Sequence, residues 1–309
     1  MRFPIRFFPD RTDFDFMKLR WVWFGISLVL IGATAVLFFA KGLNPGIDFT
    51  GGVLMEVRTE KPADLHAMRA ALGKGNFGEV ALQNIGGARD VMVRIQARKN
   101  EDQARVAEEV KTILGKLDAG IEYRRVDYVG PTVGRELVQS GMLSLCVAIL
   151  CMMLYIWFRF EWQFGLGGIA ALIHDAILIL GFYLVTGYEF GLTSIAAILT
   201  IIGYSINDSV VIYDRIRENM RKFKQMPLET LINRSVNDTL SRTIMTAGTV
   251  AIASLSLILF GGETIKSFSV AMLFGVIAGT YSSIYISAPL LIFFPVRPEG
   301  EPEALGVAR

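Results

Sequence analysis

The chain has 309 residues, 52% of them hydrophobic, with a mean hydropathy of +0.45, too apolar for an ordinary soluble domain. A formal net charge of +2 and the lack of a basic stripe interleaved with aromatics exclude nucleic acid and any polyanionic partner. Cys146 and Cys151 stand on different helix faces of an apolar run, and there are only two histidines, so neither a disulfide nor a metal centre is expected.

Residues 1–20 are basic (Arg2, Arg6, Arg11, Lys18, Arg20) and precede a first apolar span at 21–41. That span is too long for a signal-peptide core, and no small-x-small cleavage site follows it, so it is expected to remain as an anchor.

Residues 42–137 behave differently. A strand at 52–58 (Val53, Leu54, Met55, Val57) is followed by a helix at 62–72 carrying Leu65, Met68 and Leu72. Strands at 80–85 and 91–95 are joined at Gly86-Gly87. An amphipathic helix at 101–117 sets Val106, Val110, Ile113 and Leu114 on one side, and 121–129 closes as a strand. The order βαββαβ predicts a small α+β, ferredoxin-like domain. Asp48-Phe-Thr-Gly51-Gly52 leads into it, and Gly130-Pro131-Thr-Val-Gly134 leads out, as glycine-rich joints.

Residues 138–294 hold five more apolar stretches, at 138–158, 164–185, 192–212, 243–260 and 268–294. Each is long enough to cross roughly 30 Å of hydrocarbon. The fold expected is a polytopic α-helical membrane protein of six spans. The loop 213–241 carries Arg215, Arg217, Arg221, Lys222, Lys224 and Arg234, whereas 186–191 and 261–266 carry only Lys266. This bias places both termini, that loop and the tail 295–309 in the cytoplasm, and domain 42–137 on the outer, periplasmic side.

Asp208 lies in Gly203-Tyr-Ser-Ile-Asn-Asp208, near the end of the fourth span. A carboxylate at a helix centre costs at least about 2.5 kcal/mol, so such groups face a bundle interior and usually act there. Tyr204 and Ser205 share its face, giving a polar stripe suited to an ion or proton path, and Asn207 is its neighbour. The plain alternative is a helix-end polar group, since Asp214 follows about 9 Å further on. Arg242 begins the fifth span at a matching depth. Alone it reads as a snorkelling arginine, but pairing with Asp208 would offset the burial of both. Thr239, Thr246 and Thr249 share its face. His174-Asp175 sits mid-span in the third helix, an intramembrane polar pair where charge costs most, although one of the two could be a neutral packing group. Gly167 with Ala171, and Gly275 with Gly279, read as close helix packing.

These segments together resemble the SecF family of bacterial protein-translocase subunits, part of the SecD/SecF family in the resistance-nodulation-division superfamily. The resemblance lies in Asp48-Phe-Thr-Gly-Gly52, in Asp127-Tyr-Val-Gly-Pro-Thr-Val-Gly-Arg-Glu-Leu137, in Gly203 to Asn219, and in Thr239-Leu-Ser-Arg-Thr243. It departs mildly: Ser209 stands where threonine is frequent, and Ala247 and Val250 replace hydroxyl residues. Asp238 stands where glutamine is frequent and could compete for Arg242. The resemblance implies one six-helix half of a proton-driven export complex in the bacterial inner membrane. Its partners would be SecD as the other half, the SecYEG channel, YajC and YidC, the unfolded exported polypeptide and membrane lipid. Asp208 would carry the proton, with Arg242, Asn207 and Thr246 along its path. No cofactor beyond the proton as coupling ion and no catalytic reaction are expected.

Two other functions fit the residues less well. An exporter of lipids or small molecules from the same superfamily would need two halves to enclose a path. An intramembrane aspartyl protease using Asp175 and Asp208 would need both carboxylates in one site, yet they are expected at different depths.

Overall fold

The computed structural model describes residues 12–75, 77, 80–85, 87–96 and 102–296. Its helices are α1 (Arg20–Lys41), the single turn α2 (Ile47–Thr50), α3 (Leu65–Leu72), α4 (Gln103–Leu117), α5 (Pro131–Arg159), α6 (Trp162–Thr186), α7 (Leu192–Lys222), α8 (Leu228–Phe260) and α9 (Glu263–Ser282). The strands are β1 (Gly52–Arg58), β2 (Val80–Asn84), β3 (Asp90–Gln96) and β4 (Glu122–Val129). The chain divides into two compact units, one of residues 44–145 with 189–195, the other holding the remainder.

In the first unit the predicted βαββαβ order is present, in one antiparallel sheet of order β2-β3-β1-β4. Alternation along β1 sends Val53, Met55 and Val57 to the helix-covered side, where they pack with Val91, Val93 and Ile95 of β3. Leu72 of α3 and Val110 and Leu114 of α4 close that core. Both helices begin on an aspartate: Asp64 accepts the N–H groups of His66 and Ala67, and Asp102 that of Ala104. These caps start the helices at Leu65 and Gln103, a few residues after the starts expected from periodicity. The Gly86 half of the predicted Gly86-Gly87 turn and Glu101 lie outside the described residues.

Six helices are long and apolar enough to cross a membrane, at the six places read from hydropathy. Helices α6, α7 and the last span are buried along more than half of their most apolar stretches, whereas α1, α5 and α8 present most of theirs outward. The helices outrun the hydropathy boundaries. Helix α7 continues to Lys222 and α8 begins at Leu228, so the stretch 213–241, expected as a loop, is helical except for residues 223–227. Ion pairs along and between the helices support the extension: Arg215 with Glu218 at 2.7 Å and with Asp238 at 2.8 Å, and Lys222 with Glu218 at 2.6 Å. The last span is not uniform either, because α9 passes at Ser283–Ser287 into a π-helical turn. Residues 1–11 and 297–309, most of the expected tails, lie outside the described residues.

Candidate functional site

Asp208 is 5% exposed. Its Oδ1 accepts a hydrogen bond from Thr243 Oγ1 at 2.6 Å, joining α7 to α8. Its Oδ2 is buried without a hydrogen-bond partner among the described residues. One oxygen is therefore held and the other is open, in a place where an unpaired polar atom is costly.

The face of α7 that carries Asp208 meets the last span through a row of small and hydroxyl side chains. A side chain at Gly275 would collide with Ile201, and one at Gly279 would lie 3.1 Å from Ser205 Cβ, so these glycines let the helices approach closely. Beyond them the π turn offers hydroxyls. Ser209 Oγ donates to Ser283 Oγ at 3.1 Å, Ser283 Oγ donates to the Ser205 carbonyl at 3.3 Å, and the Tyr213 hydroxyl bonds Ser287 Oγ at 2.5 Å. A π turn is a frequent companion of functional sites because it re-aims side chains within a helix.

A second buried cluster lies in the same unit. Asp175 has no exposed surface and His174 is 4% exposed. His174 Nδ1 lies 3.2 Å from Asp175 Oδ1, and His174 Nε2 lies 3.1 Å from Ser27 Oγ of α1. Ser27 in turn bonds the Tyr281 hydroxyl, and Ser205 donates to Asp175 Oδ2. Both ionisable side chains are thus fully engaged, as buried polar groups must be.

The structure places several sequence-predicted residues elsewhere. Arg242 is exposed and forms no ion pair with Asp208 among the described residues. It lines a surface cleft with Asp214, Glu218 and Asp238, while its neighbour Thr243 reaches the carboxylate. Asp238, the expected competitor for Arg242, is bound by Arg215 and Asn219. Asn207 is exposed, pointing away from the buried cluster although it adjoins Asp208 in sequence. Thr246 and Thr249 close back onto their own helix, donating to the carbonyls of Arg242 and Thr246 at 3.0 and 2.8 Å. The physical reason is rotation: successive helix positions differ by about 100°, so matching depth does not make matching faces. Thr243, Ser27 and Ser283 were not singled out from the sequence. Their signal was the hydroxyl itself, recurring within otherwise apolar spans.

The glycine-rich joints form a separate constellation within the unit of residues 44–145 and 189–195. Asp48 Oδ2 accepts the N–H of Leu192, the first residue of α7, at 3.0 Å. Glu189 accepts the N–H of Ile47 at 3.1 Å, and Phe190 exchanges backbone hydrogen bonds with Asn44 and Gly46. Burial raises the Glu189 pKa above the usual carboxylate range, against the opposing pull of the Ile47 N–H. Gly51 and Gly52 take φ of 70° and 135°, conformations that side chains resist. Gly134 packs against the backbone of this turn: a Cβ there would sit 3.2 Å from Gly51 N and 3.3 Å from the Asp48 and Phe49 carbonyls. Pro131 opens α5, where its missing N–H is no loss, and Gly130 has open space around it.

Comparison with known proteins places this geometry. Residues 109–297 match the family model described as protein export membrane protein SecD/SecF, C-terminal, and residues 36–63 match the SecD/SecF GG motif. The chain is 50% identical over 296 residues to protein translocase subunit SecF of Rickettsia conorii and equally to that of Rickettsia felis, covering 96% of each chain. It superposes on the crystal structure of SecDF, a translocon-associated membrane protein from Thermus, with a TM-score of 0.82 and 34% identity. That match covers 95% of this chain but only 40% of the SecDF chain. A second SecDF structure, in a super-membrane-facing form, matches over the same shares with a TM-score of 0.65. A family model matched over more than half of the sequence and relatives matched nearly end to end agree: the chain belongs to the SecD/SecF family of protein export membrane proteins, as a SecF-type member.

Proposed function

We propose that the chain is one six-helix half of a proton-driven complex that promotes late stages of protein export. Its partner is a SecD-type half, beside the SecYEG channel, with YajC and YidC as further members and the unfolded exported polypeptide as cargo. The relatives' names support the first step, since they are protein translocase subunits. The matched SecDF chain supports the second, because this chain corresponds to only 40% of it and the rest supplies room for the other half. The observation that carries the proton reading is Asp208, a buried carboxylate with one oxygen held by Thr243 and the other open. A carboxyl so placed can take up and release a proton without rebuilding its surroundings. The distribution of basic residues supports both termini inside the cell and residues 42–137 on the periplasmic side of the inner membrane. The complex does mechanical work on its cargo and forms no covalent bond with it.

The test uses affinity purification in mild detergent together with Asp208→Asn, which keeps size and hydrogen bonding but removes ionisation. Recovery of a second six-span chain and loss of proton-dependent export in an assembled Asp208→Asn complex are the expected results. An active lone chain would remove the two-half reading, and wild-type export by Asp208→Asn would remove the proton reading.

A further inference from the structure

Resting on that proton-coupled reading, we propose that His174 and Asp175 form a second proton-holding site of the bundle, and that Ser205 carries the proton between Asp175 and Asp208. The pair has the right composition. The His174 ring nitrogen and the Asp175 carboxyl oxygen, 3.2 Å apart, are two groups able to hold a proton within one hydrogen bond. It is also buried to a degree that packing alone does not explain. Apolar residues of similar volume serve a core as well as or better than a buried ionisable pair, and here both members lie at or below 4% exposure.

Ser205 is what connects the two carboxyls. It is fully buried, donates to Asp175 Oδ2, and stands one helical turn before Asp208 on the same face of α7. A hydroxyl can accept a proton on its oxygen while releasing its own. In the transfer, the Ser205 hydroxyl proton passes along its existing hydrogen bond to Asp175 Oδ2, and Ser205 Oγ takes up the proton that leaves Asp208 Oδ2, the two meeting by side-chain rotation on their shared face of α7. Carboxylic acid at Asp208 and carboxylate at Asp175 become carboxylate at Asp208 and carboxylic acid at Asp175, and the serine hydroxyl is regenerated. The releasing oxygen is the Asp208 oxygen that has no hydrogen-bond partner among the described residues, while Thr243 holds the other. On the far side of the pair, Ser27 and Tyr281 continue the hydrogen-bonded chain from His174 Nε2.

The remaining titratable groups near this path are few. Tyr281 is engaged by Ser27, the Tyr204 hydroxyl is buried without a partner among the described residues, and Arg242 faces outward. Among the described residues none of these forms an ion pair with either carboxyl, so the serine is the connection to test.

The experiment measures proton-dependent export by the full complex for Ser205→Ala, Ser205→Cys, Asp175→Asn and, in parallel, Asp208→Asn, each normalised to the amount of assembled complex. Ser205→Ala removes one atom and leaves both carboxyls in place. Ser205→Cys restores a transferable proton in a similar volume, so a packing role and a relay role part company. The expected result is a fall of about tenfold or more for Ser205→Ala, substantial recovery in Ser205→Cys, and loss in Asp175→Asn. Wild-type export by Ser205→Ala or by Asp175→Asn, with Asp208→Asn inactive, overturns this inference and leaves the proton-coupled reading standing. Equal failure of Ser205→Ala and Ser205→Cys overturns the relay in favour of packing. Wild-type export by Asp208→Asn would instead remove the reading on which the inference rests. Should Asp175→Asn fail to assemble, the contrast between alanine and cysteine at Ser205 decides alone.

Discussion

Thr243 and Asp208 are bonded across α7 and α8, hydroxyl to carboxyl oxygen Oδ1 at 2.6 Å. A hydrogen bond to a charged group contributes about 1.5–3 kcal/mol. Thr243→Val, close in shape but without the donor, is therefore expected to lower stability by that order, and Thr243→Ser to stay near wild type. Thermal unfolding of the purified complex reads both. A valine variant as stable as wild type would show that this hydrogen bond contributes nothing net to stability.

Arg242 behaves as a surface residue of this chain. Substitutions at such positions change stability by no more than about 0.5 kcal/mol, so Arg242→Gln should unfold at the wild-type temperature when the chain is purified. Any export defect in that variant then reports on function and not on folding. A clear loss of thermal stability would contradict the outward placement of the guanidinium.

Gly134 and Gly130 should respond oppositely to alanine. At Gly134 the new Cβ meets three backbone atoms at 3.2–3.3 Å, none of which can rotate away, whereas nothing lies within 4 Å at Gly130. Gly134→Ala should lower the amount of folded protein and its protease resistance, and Gly130→Ala should leave both unchanged. Gly51→Ala belongs with the first, because its φ of 70° with ψ of 160° lies in a region that L-residues avoid, at a cost of about 1–3 kcal/mol. Equal resistance in the two alanine variants would show that the turn around Asp48 yields.

The buried Glu189 gives a pH dependence of known sign. Its folded-state pKa is raised by burial, so the folded form holds its proton to higher pH than the unfolded chain does. The stability linked to that proton is full below about pH 4.5, the ordinary value, and is lost as pH rises through the raised one. Glu189→Gln mimics the protonated form and can still accept the Ile47 N–H. It should stabilise the protein near neutral pH and lose that advantage in acid. Asp90 works in the reverse sense, since Arg58 lowers its pKa and the linked stability disappears as pH falls. Thermal unfolding of wild type and Glu189→Gln at neutral and acid pH separates the two, and no difference between the proteins at neutral pH would refute the burial argument.

Much of this is legible in the sequence alone. Hydropathy located the six spans because length and apolar content are what a bilayer requires. Period-two and period-3.6 patterns located the elements of the α+β unit. Asp208 and the His174-Asp175 pair stood out because ionisable groups are rare within spans. Azimuth was not legible. Rise per residue put Arg242 level with Asp208 but could not show that Thr243, a hundred degrees round the helix, faces it. Hydropathy also stopped α7 at its last apolar residue, while the helix runs on through Arg215, Glu218 and Lys222, which pair with one another. The π turn at Ser283–Ser287 has no composition of its own and was invisible.

The division between inner and outer spans has a consequence for how such a chain changes over generations. Side chains of α6, α7 and the last span must fit one another atom by atom, and small hydroxyls and glycines there have no substitutes of equal shape. Outward residues of α1, α5 and α8, such as Phe39, Phe158 and Ile252, are exposed on this chain, and where they meet lipid they need only be apolar. Leucine, isoleucine, valine and phenylalanine are interchangeable in that role. Sequence drift is accordingly expected to collect on the outward faces of α1, α5 and α8, while the inner three helices, with Ser27 of α1 and Thr243 of α8, serve as the record of what the bundle does.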